Sequence, residues 1–271
     1  MDFNKVISEV ISEIKEKWGL PKKGFLAGGS IANLAWEKVS GKKAIVNDID
    51  IFMLSKTSSR MDVDDVHNKL SVSKNEKIVT AGYNGYNIHY VEKEYYIIDE
   101  VIYDGIHNII HCNSNTGDVN IILDSFDLNC CRVGYDIEED KIYYKKDFIE
   151  FLKTGEVRVT NLHTPAHTLI RLHKKCEDLN CEVFDSEIDL LILKMNNPIG
   201  SVSKRGFKDK YLKVYKKYEQ NLKKYVKIEE YECSFDGSDN LEKVYTLLPI
   251  DQKNDFDLYR KAPNKIGRAH V

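Results

Sequence analysis

The sequence predicts an α+β protein whose N-terminal half mixes helices and strands and whose C-terminal region is mainly helical. Residues 2–18 carry apolar side chains at helical spacing. Strand-like segments follow one another between residues 77 and 133 and are separated by turn dipeptides such as Asn84-Gly85. After residue 146 the apolar pattern is helical, which indicates a change of architecture in the second half.

Glycine and proline mark the ends of the first elements, so their order can be inferred from the sequence. We expect a helix over residues 2–18, a short strand over 24–26, a helix over 31–40, a strand over 44–54 and a helix over 62–70. The turn Gly28-Gly29-Ser30 connects the first strand to the second helix.

The remaining elements follow from alternating or helical apolar patterns. Strands are expected at residues 77–80, 86–91, 95–98, 105–112, 119–123, 125–133 and 142–144, and helices at 146–152, 164–179, 187–195 and 207–226. A polar, turn-rich segment near residues 155–161 predicts a boundary between a head at 1–155 and a helical region at 156–265. Residues 266–271 resemble a translated sequencing adapter and are excluded from the fold prediction.

The composition indicates a cytoplasmic protein without a strong overall charge. The net charge is −3 and the pI about 6.3, so any contact with nucleic acid must come from a local basic patch. The apolar runs are far too short to span a bilayer, and the N-terminus lacks the apolar core of a signal peptide. Six cysteines without a CxxC pair indicate free thiols in a reducing compartment. The bias towards Lys, Asn, Ile and Tyr is typical of AT-rich genomes, such as those of phages or large DNA viruses.

Asp48 and Asp50 interrupt an apolar run that otherwise predicts a buried strand. Alternate side chains of a strand share one face, so the two carboxylates are expected to project together. Two ionised carboxylates on one face repel each other unless a cation lies between them. Mg²⁺ is the expected cation, because it binds a few carboxylate oxygens and leaves other positions to water and phosphate.

The turn Gly28-Gly29-Ser30 predicts a phosphate site beside these aspartates. Glycines allow the backbone to approach a ligand closely, and the following helix directs its N-terminal N–H groups at the turn. Ser30 is suited to cap the helix or to contact phosphate. A phosphate site next to a metal site is the combination that metal-dependent phosphoryl transfer requires.

The order Gly-Gly-Ser, helix, Asp-Ile-Asp-Ile resembles the signature of the polymerase-β-like nucleotidyltransferase superfamily, which includes poly(A) polymerases and CCA-adding enzymes. The resemblance implies a head domain with a short mixed sheet flanked by helices. It also implies that two Mg²⁺ ions, or Mn²⁺, support transfer of a nucleoside monophosphate from an NTP, with pyrophosphate leaving. A third carboxylate is then expected on a neighbouring strand.

Asp127 is the candidate for the third carboxylate, because it lies in the strand-like run 125–133. It would hold the cation that activates the acceptor hydroxyl, or act as a base. Asp124 is the rival candidate, at the expected bend between two strands. Asp48 and Asp50 would hold both ions.

Arg171, Lys174 and Lys175 lie one turn apart on one face of the predicted helix over 164–179, so a compact basic patch is expected. This segment, which follows a Phe-Asp strand, resembles an uncharacterised phage and large-virus branch of the superfamily. The resemblance implies that Arg171 and Lys174 face the triphosphate or an acceptor. A solvated basic face is the alternative interpretation. The Lys- and Tyr-rich segment 208–227 could bind RNA or DNA, or could form an amphipathic helix whose lysines stay in water.

Two hypotheses for function follow. The first is a nucleotidyltransferase that uses an NTP and an acceptor hydroxyl of RNA, including tRNA, of a protein or of a small molecule. The second is a catalytically silent nucleotide- or RNA-binding module on the same fold. In a silent member, Asp127 is expected to lie too far from Asp48 and Asp50 to share a cation.

Overall fold

The structure of the chain, a computed structural model, describes residues 1–56, 78–83, 86–91, 94–162, 164–196, 209–233 and 242–250. The helices within these ranges are α1 (Phe3–Trp18), α2 (Gly29–Ser40), α3 (Asn120–Ser125), α4 (Lys146–Thr154), α5 (Pro165–Asp178), α6 (Asp185–Asn196) and α7 (Asp209–Leu222). None of the described helices is long and apolar enough to cross a membrane. The predicted helix over 62–70 and the adapter-like residues 266–271 lie outside the described residues.

A mixed sheet of eight strands forms the centre of the fold and confirms the predicted α+β class. In spatial order its strands are β3 (Ile78–Tyr83), β4 (Tyr86–Val91), β5 (Glu94–Asp104), β6 (His107–Ser114), β2 (Ile49–Lys56), β1 (Phe25–Ala27), β7 (Val133–Asp136) and β8 (Lys141–Tyr144). The β2–β6 pair is parallel, and the other pairs in the sheet are antiparallel. A separate two-stranded sheet joins β9 (Val226–Cys233) to β10 (Glu242–Pro249).

Strand β2 begins at Ile49, later than the predicted start at residue 44. The backbone of the preceding segment forms hydrogen bonds with residues of helices α5 and α2. The Ile45 amide donates to the Asp178 carbonyl over 3.3 Å, and the Asn33 side chain donates to the Ile45 carbonyl. Asp48 therefore stands just before the strand, and Asp50 is its second residue.

Two predicted strands are wrong. Residues 119–123 belong largely to helix α3, because the short apolar run Ile121-Ile122-Leu123 is buried as a helical turn. Such a run has no periodicity that separates a strand from a buried helix. Residues 125–133 contain a 3₁₀ turn at Asn129–Cys131, and only Val133 enters strand β7. Asp127 consequently lies in a bend and not in a strand.

Apolar side chains are buried on both faces of the sheet. One face packs with α1, α2, α4 and α5 in a large cluster that includes Ile7, Ile31, Ile51, Phe148 and Leu169. A smaller cluster on the opposite face joins Phe25 and Phe52 to the apolar run of α3. The large cluster contains residues from both sides of residue 155, so α5 packs directly on the N-terminal part. This packing brings the basic residues of α5 towards the Gly28-Gly29 turn.

Candidate functional site

Gly28 forms the turn between strand β1 and helix α2. Its φ of 88° is in the left-handed region that favours glycine, and its amide donates to the Val133 carbonyl over 2.9 Å. A Cβ at this position would stand 3.3 Å from the Phe126 ring. The sequence therefore needs glycine here both for backbone conformation and for space.

Ser30 places a hydroxyl in the first turn of α2. The residue is only 2% exposed, and its Oγ is buried without a hydrogen-bond partner in the described part of the chain. A buried polar atom without a partner costs about 1–3 kcal/mol. Helix N-termini attract anions through their N–H groups and the helix dipole. The first turn of α2 thus offers a donor and a positive potential to an anionic ligand.

Lys175 reaches this turn from helix α5. Its Nζ donates to Asn33 Oδ1 over 2.6 Å, and a Cβ built on Gly29 would stand 3.2 Å from the same Nζ. Burial lowers the pKa of Lys175, but the negative charges of Cys131, Cys130 and Asp178 outweigh burial, so the pKa is raised and the ammonium stays charged. A permanent cation therefore lies beside the N-terminus of α2.

Asp50 lies in the electrostatic field of the same cations. Its Oδ1 accepts a hydrogen bond of 2.8 Å from Asn108, its partner on the parallel strand β6. Burial, followed by the Asp48 carboxylate, raises the pKa of Asp50, whereas the Asn108 hydrogen bond and the charges of Arg171 and Lys175 oppose the increase. The fold thus brings both predicted aspartates and two cations of α5 into one neighbourhood.

Asp127 is buried against helix α5. Its Oδ2 accepts a hydrogen bond of 3.0 Å from Thr168 Oγ1. Its Oδ1 lies 3.2 Å from Arg171 Nη2, an ion pair without a well-aligned hydrogen bond. The contacts of this carboxylate are therefore made with helix α5.

The rival candidate Asp124 belongs to a different cluster. It pairs with Arg132 over 2.5 Å and with Lys145 over 2.8 Å, and Arg132 also pairs with Asp147. This network joins α3 to the start of β7 and to α4.

Lys174 and Lys175 have different partners although they are adjacent. Lys174 Nζ lies 2.5 Å from Asp178 Oδ2, one helical turn further along α5. Lys175 lies against the glycine turn, and the charges of Arg171 and Lys175, four residues apart on α5, both act on Asp50. The predicted role of Lys174 at the triphosphate stays a prediction.

The predicted carboxylates differ in how well their surroundings suit the binding of a divalent cation. Within the described ranges, no three His, Cys, Asp or Glu side chains converge so that they could hold a metal ion. Asp48 and Asp50 fit a cation, because burial and mutual repulsion disfavour the charge of Asp50 and a hard cation would relieve both effects. That Asp127 joins Asp48 and Asp50 as a third metal ligand stays a prediction.

Two adjacent thiols, those of Cys130 and Cys131, lie in the electrostatic field of Lys175. Cys130 and Cys131 are buried, with their Sγ atoms 3.9 Å apart. The hydrogen bond from Cys130, followed by the charges of Lys175 and Arg171, lowers the pKa of Cys131 to about 6, although burial opposes this decrease. The first proton of the pair is therefore released more easily than that of an ordinary thiol.

Sequence reasoning missed Asn33, Asn108 and Thr168. It placed Lys175 in one basic patch with Arg171 and Lys174, but assigned the phosphate role to Arg171 and Lys174. The register that sets Asn108 opposite Asp50 connects strands far apart in the chain, and no local pattern reports it. Lys174 and Lys175 are three and four residues from Arg171, and both spacings are compatible with a shared helix face, so spacing alone does not decide between the two lysines.

A family model described as "Gad2: Gabija anti-defense 2 family protein" matches residues 1–155, more than half of the chain. The chain belongs to the Gabija anti-defense 2 family. In this member of the Gad2 family, Arg171 and Lys175 lie beyond the matched residues. No curated protein matches the Gad2 chain.

Several solved structures are similar to this Gad2 chain at low sequence identity. They include a CCA-adding enzyme with ATP (12% identity, TM-score 0.41, 82% of this chain and 53% of that chain). Others are the Thermotoga maritima CCA-adding enzyme complexed with tRNA_CCA (14%, 0.39, 73% and 46%) and a tRNA-processing enzyme in apo form (13%, 0.35, 80% and 57%). The Gad2 chain spans about half the length of these structures.

Proposed function

We propose that the protein is a metal-dependent nucleotidyltransferase that moves a nucleoside monophosphate from an NTP to an acceptor hydroxyl. One observation carries the proposal: Lys175 lies against the Gly28–Ser30 turn, and the charges of Arg171 and Lys175 act on Asp50. A carboxylate pair beside a cationic phosphate cradle is suited to bind a metal–polyphosphate complex. The anti-defense description of the family supports the phage origin that we expect from the composition, with action in the host cytoplasm.

Each residue of the cradle has a role in this proposal. The first turn of α2 and Ser30 Oγ bind the triphosphate, and Lys175 and Arg171 neutralise charge on the leaving pyrophosphate. Asp48 and Asp50 would hold Mg²⁺ or Mn²⁺, which would supply charge neutralisation and acidify the acceptor hydroxyl. The proposed acceptor is an RNA end, tRNA included, a protein hydroxyl or a small molecule.

Label transfer tests the proposal. Purified protein with Mg²⁺ and each α-labelled NTP is incubated with tRNA, total RNA, a protein extract or a small-molecule fraction. We expect label in one acceptor class, and loss of at least about 10³-fold in Asp48→Asn and Asp50→Asn, as expected for groups that act on the transition state. The matched control is Asp104→Asn, at an exposed aspartate next to the β5–β6 turn. Full transfer by both site variants would refute the assignment.

A catalytically silent nucleotide-binding module is the second candidate, because two observations favour it. Asp127 contacts Arg171 and Thr168, and the residue opposite Asp50 on β6 is Asn108 and not a carboxylate. A silent module would bind NTP with the same affinity in Mg²⁺ and in EDTA and would transfer no label to any acceptor. Equilibrium binding of labelled ATP under both conditions separates the two candidates.

A further inference from the structure

We propose that Asp127 is a positioning residue that fixes the Arg171 guanidinium for the phosphates of the nucleotide, and that it is not a metal ligand. The inference rests on the nucleotide site of the proposed function. It replaces the metal-binding or base role that the sequence resemblance implies for Asp127. It also assigns Thr168 as a second positioning residue, which orients Asp127.

The backbone around Asp127 is fixed by the segment that follows helix α4. The Asp127 carbonyl accepts a hydrogen bond of 2.8 Å from the Thr160 amide. The Phe126 carbonyl accepts a hydrogen bond of 2.6 Å from Thr160 Oγ1, and Leu128 forms an antiparallel bridge with Val159. The carboxylate is thus presented to helix α5 from a bend that is held on both sides.

Both carboxylate oxygens contact one face of helix α5. Thr168 Oγ1 donates to Oδ2 over 3.0 Å, and Arg171 Nη2 lies 3.2 Å from Oδ1. Thr168 and Arg171 are three residues apart and therefore adjacent on the helix surface. The hydroxyl sets the orientation of the carboxylate plane, and the carboxylate in turn restricts the guanidinium.

The exposed fractions of the two side chains indicate which residue positions the other. The Asp127 side chain is 7% exposed, whereas the Arg171 side chain is 43% exposed. The anion is inside and the cation is at the surface, where its charge acts on Asp50. An arginine held in this way loses less side-chain entropy when it binds phosphate, which is the advantage of preorganisation.

A metal role would require Asp127 to exchange these contacts. Mg²⁺ demands oxygen ligands at about 2.0–2.1 Å in near-octahedral geometry. Thr168 and Arg171 already lie against the two oxygens, and Arg171 would repel the incoming cation. A buried carboxylate whose partners lie on one helix is better suited to orient that helix's arginine.

A double-mutant cycle on nucleotide affinity tests the proposal. The dissociation constant of labelled ATP in Mg²⁺ is measured for wild type, Asp127→Asn, Arg171→Gln and the double variant. If Asp127 acts through Arg171, each single change weakens binding about tenfold, the order expected for one charge-assisted hydrogen bond. The double variant then binds no more weakly than Arg171→Gln, because the interaction has already been removed.

Two further measurements separate positioning from metal binding and from misfolding. The Mg²⁺ concentration that gives half-maximal nucleotide binding stays unchanged in Asp127→Asn and rises in Asp50→Asn. Thr168→Val reproduces part of the affinity loss, and Thr168→Ser, which keeps the hydroxyl, restores it. If Asp127→Asn does not fold, the Thr168 variants still test whether the orientation of Asp127 controls nucleotide affinity.

Several outcomes would overturn the inference. Additive losses in the double variant, or a rise of the Mg²⁺ requirement in Asp127→Asn like that in Asp50→Asn, would show that Asp127 acts without Arg171. Nucleotide binding with a non-additive cycle but no label transfer would refute the transfer function and support the inference. A wild-type protein that binds no nucleotide would refute both.

Discussion

The Lys175 ammonium lies against the first turn of helix α2, where a Cβ built on Gly29 would stand 3.2 Å from Nζ. The N-terminus of a helix already carries a partial positive charge. A lysine in this position is electrostatically unfavourable unless an anion shares the space. The neutral Asn33 oxygen, 2.6 Å from Nζ, holds the ammonium, and the charges of Cys131, Cys130 and Asp178 raise its pKa. A charged ammonium beside a helix N-terminus is suited to bind polyphosphate.

The variant Gly29→Ala tests the cradle directly. The added methyl group must displace the Lys175 ammonium and fill space next to the helix N-terminus, so we expect ATP to bind about tenfold more weakly, the loss of one charge-assisted hydrogen bond. The free energy of unfolding is expected to stay constant or increase by up to about 1 kcal/mol, because alanine is the better helix former. Lys38→Ala, at the opposite end of α2, is the control for both measurements. Unchanged ATP affinity in Gly29→Ala would contradict the cradle.

Asp50→Asn is expected to stabilise the protein while it abolishes transfer. Burial and then Asp48 raise the pKa of Asp50, so the folded state binds its proton more tightly than the unfolded chain does. The ionised carboxylate therefore costs stability above the raised pKa, and this cost disappears as the pH falls below the ordinary carboxylate range. In EDTA, the melting temperature of Asp50→Asn should exceed that of wild type at pH 7 and approach it near pH 4. A variant less stable than wild type at pH 7 would contradict the origin of the shift.

Two glycine variants separate steric clash from backbone strain. Gly155 and Gly41 both end helices with a left-handed φ, of 74° and 71°. A Cβ at Gly155 would stand 2.7 Å from Trp36 Cη2, whereas nothing lies within 4 Å of a Cβ at Gly41. We expect Gly41→Ala to cost about 1 kcal/mol of unfolding free energy from strain alone. Gly155→Ala should cost about 2 kcal/mol more, because the core would be overpacked. Equal losses in urea titrations would show that Trp36 can move at little cost.

The thiol of Cys131 is expected to react with iodoacetamide at lower pH than an ordinary cysteine. The Cys130 hydrogen bond and then the cations Lys175 and Arg171 lower its pKa to about 6. The alkylation rate of Cys131 should therefore increase with pH and reach half of its maximum near pH 6. Burial raises the pKa of Cys181, which serves as the internal control and should react only at higher pH. Mass-spectrometric mapping of labelled peptides across pH 5–9 measures both.

Two variants and one ligand sharpen the cysteine experiment. Lys175→Met removes a cation and should move the midpoint of Cys131 upwards, whereas Lys38→Ala should leave it unchanged. Bound ATP should slow the reaction, because its phosphates would engage Lys175, the cation that stabilises the Cys131 thiolate. If Cys131 and Cys181 react with the same pH dependence, the cations do not control the Cys131 thiolate.

Much of the fold follows from local patterns, but some elements do not. Helices α1, α2 and α5 start and end within about two residues of their expected positions, because apolar periodicity and glycine or proline stops mark them. The strand predictions for residues 119–123 and 125–133 were wrong, because a short apolar run is compatible with either a strand or a buried helical turn. The late start of β2 depends on hydrogen bonds to α2 and α5, which no local pattern contains.

The site was predictable as a set of residue types and less so as a geometry. The glycine turn and the Asp48–Asp50 pair follow from short motifs with a physical purpose. The choice between Lys174 and Lys175 depends on how helix α5 is rotated against the sheet. The contacts of Asp127 depend on a bend that the sequence predicted as a strand. Both are properties of tertiary packing.

The parallel pairing of β2 with β6 also determines when the site can form during synthesis. The aspartate strand finds its parallel neighbour only after β3, β4 and β5 have been made, and the cations arrive later still, on α5. Contacts between distant parts of a chain form slowly, and a domain emerging from the ribosome lacks those not yet translated. A nascent chain that ends before helix α5 would therefore expose a glycine turn and two aspartates without their basic partners. The two cations of the candidate site are therefore added only when α5 docks.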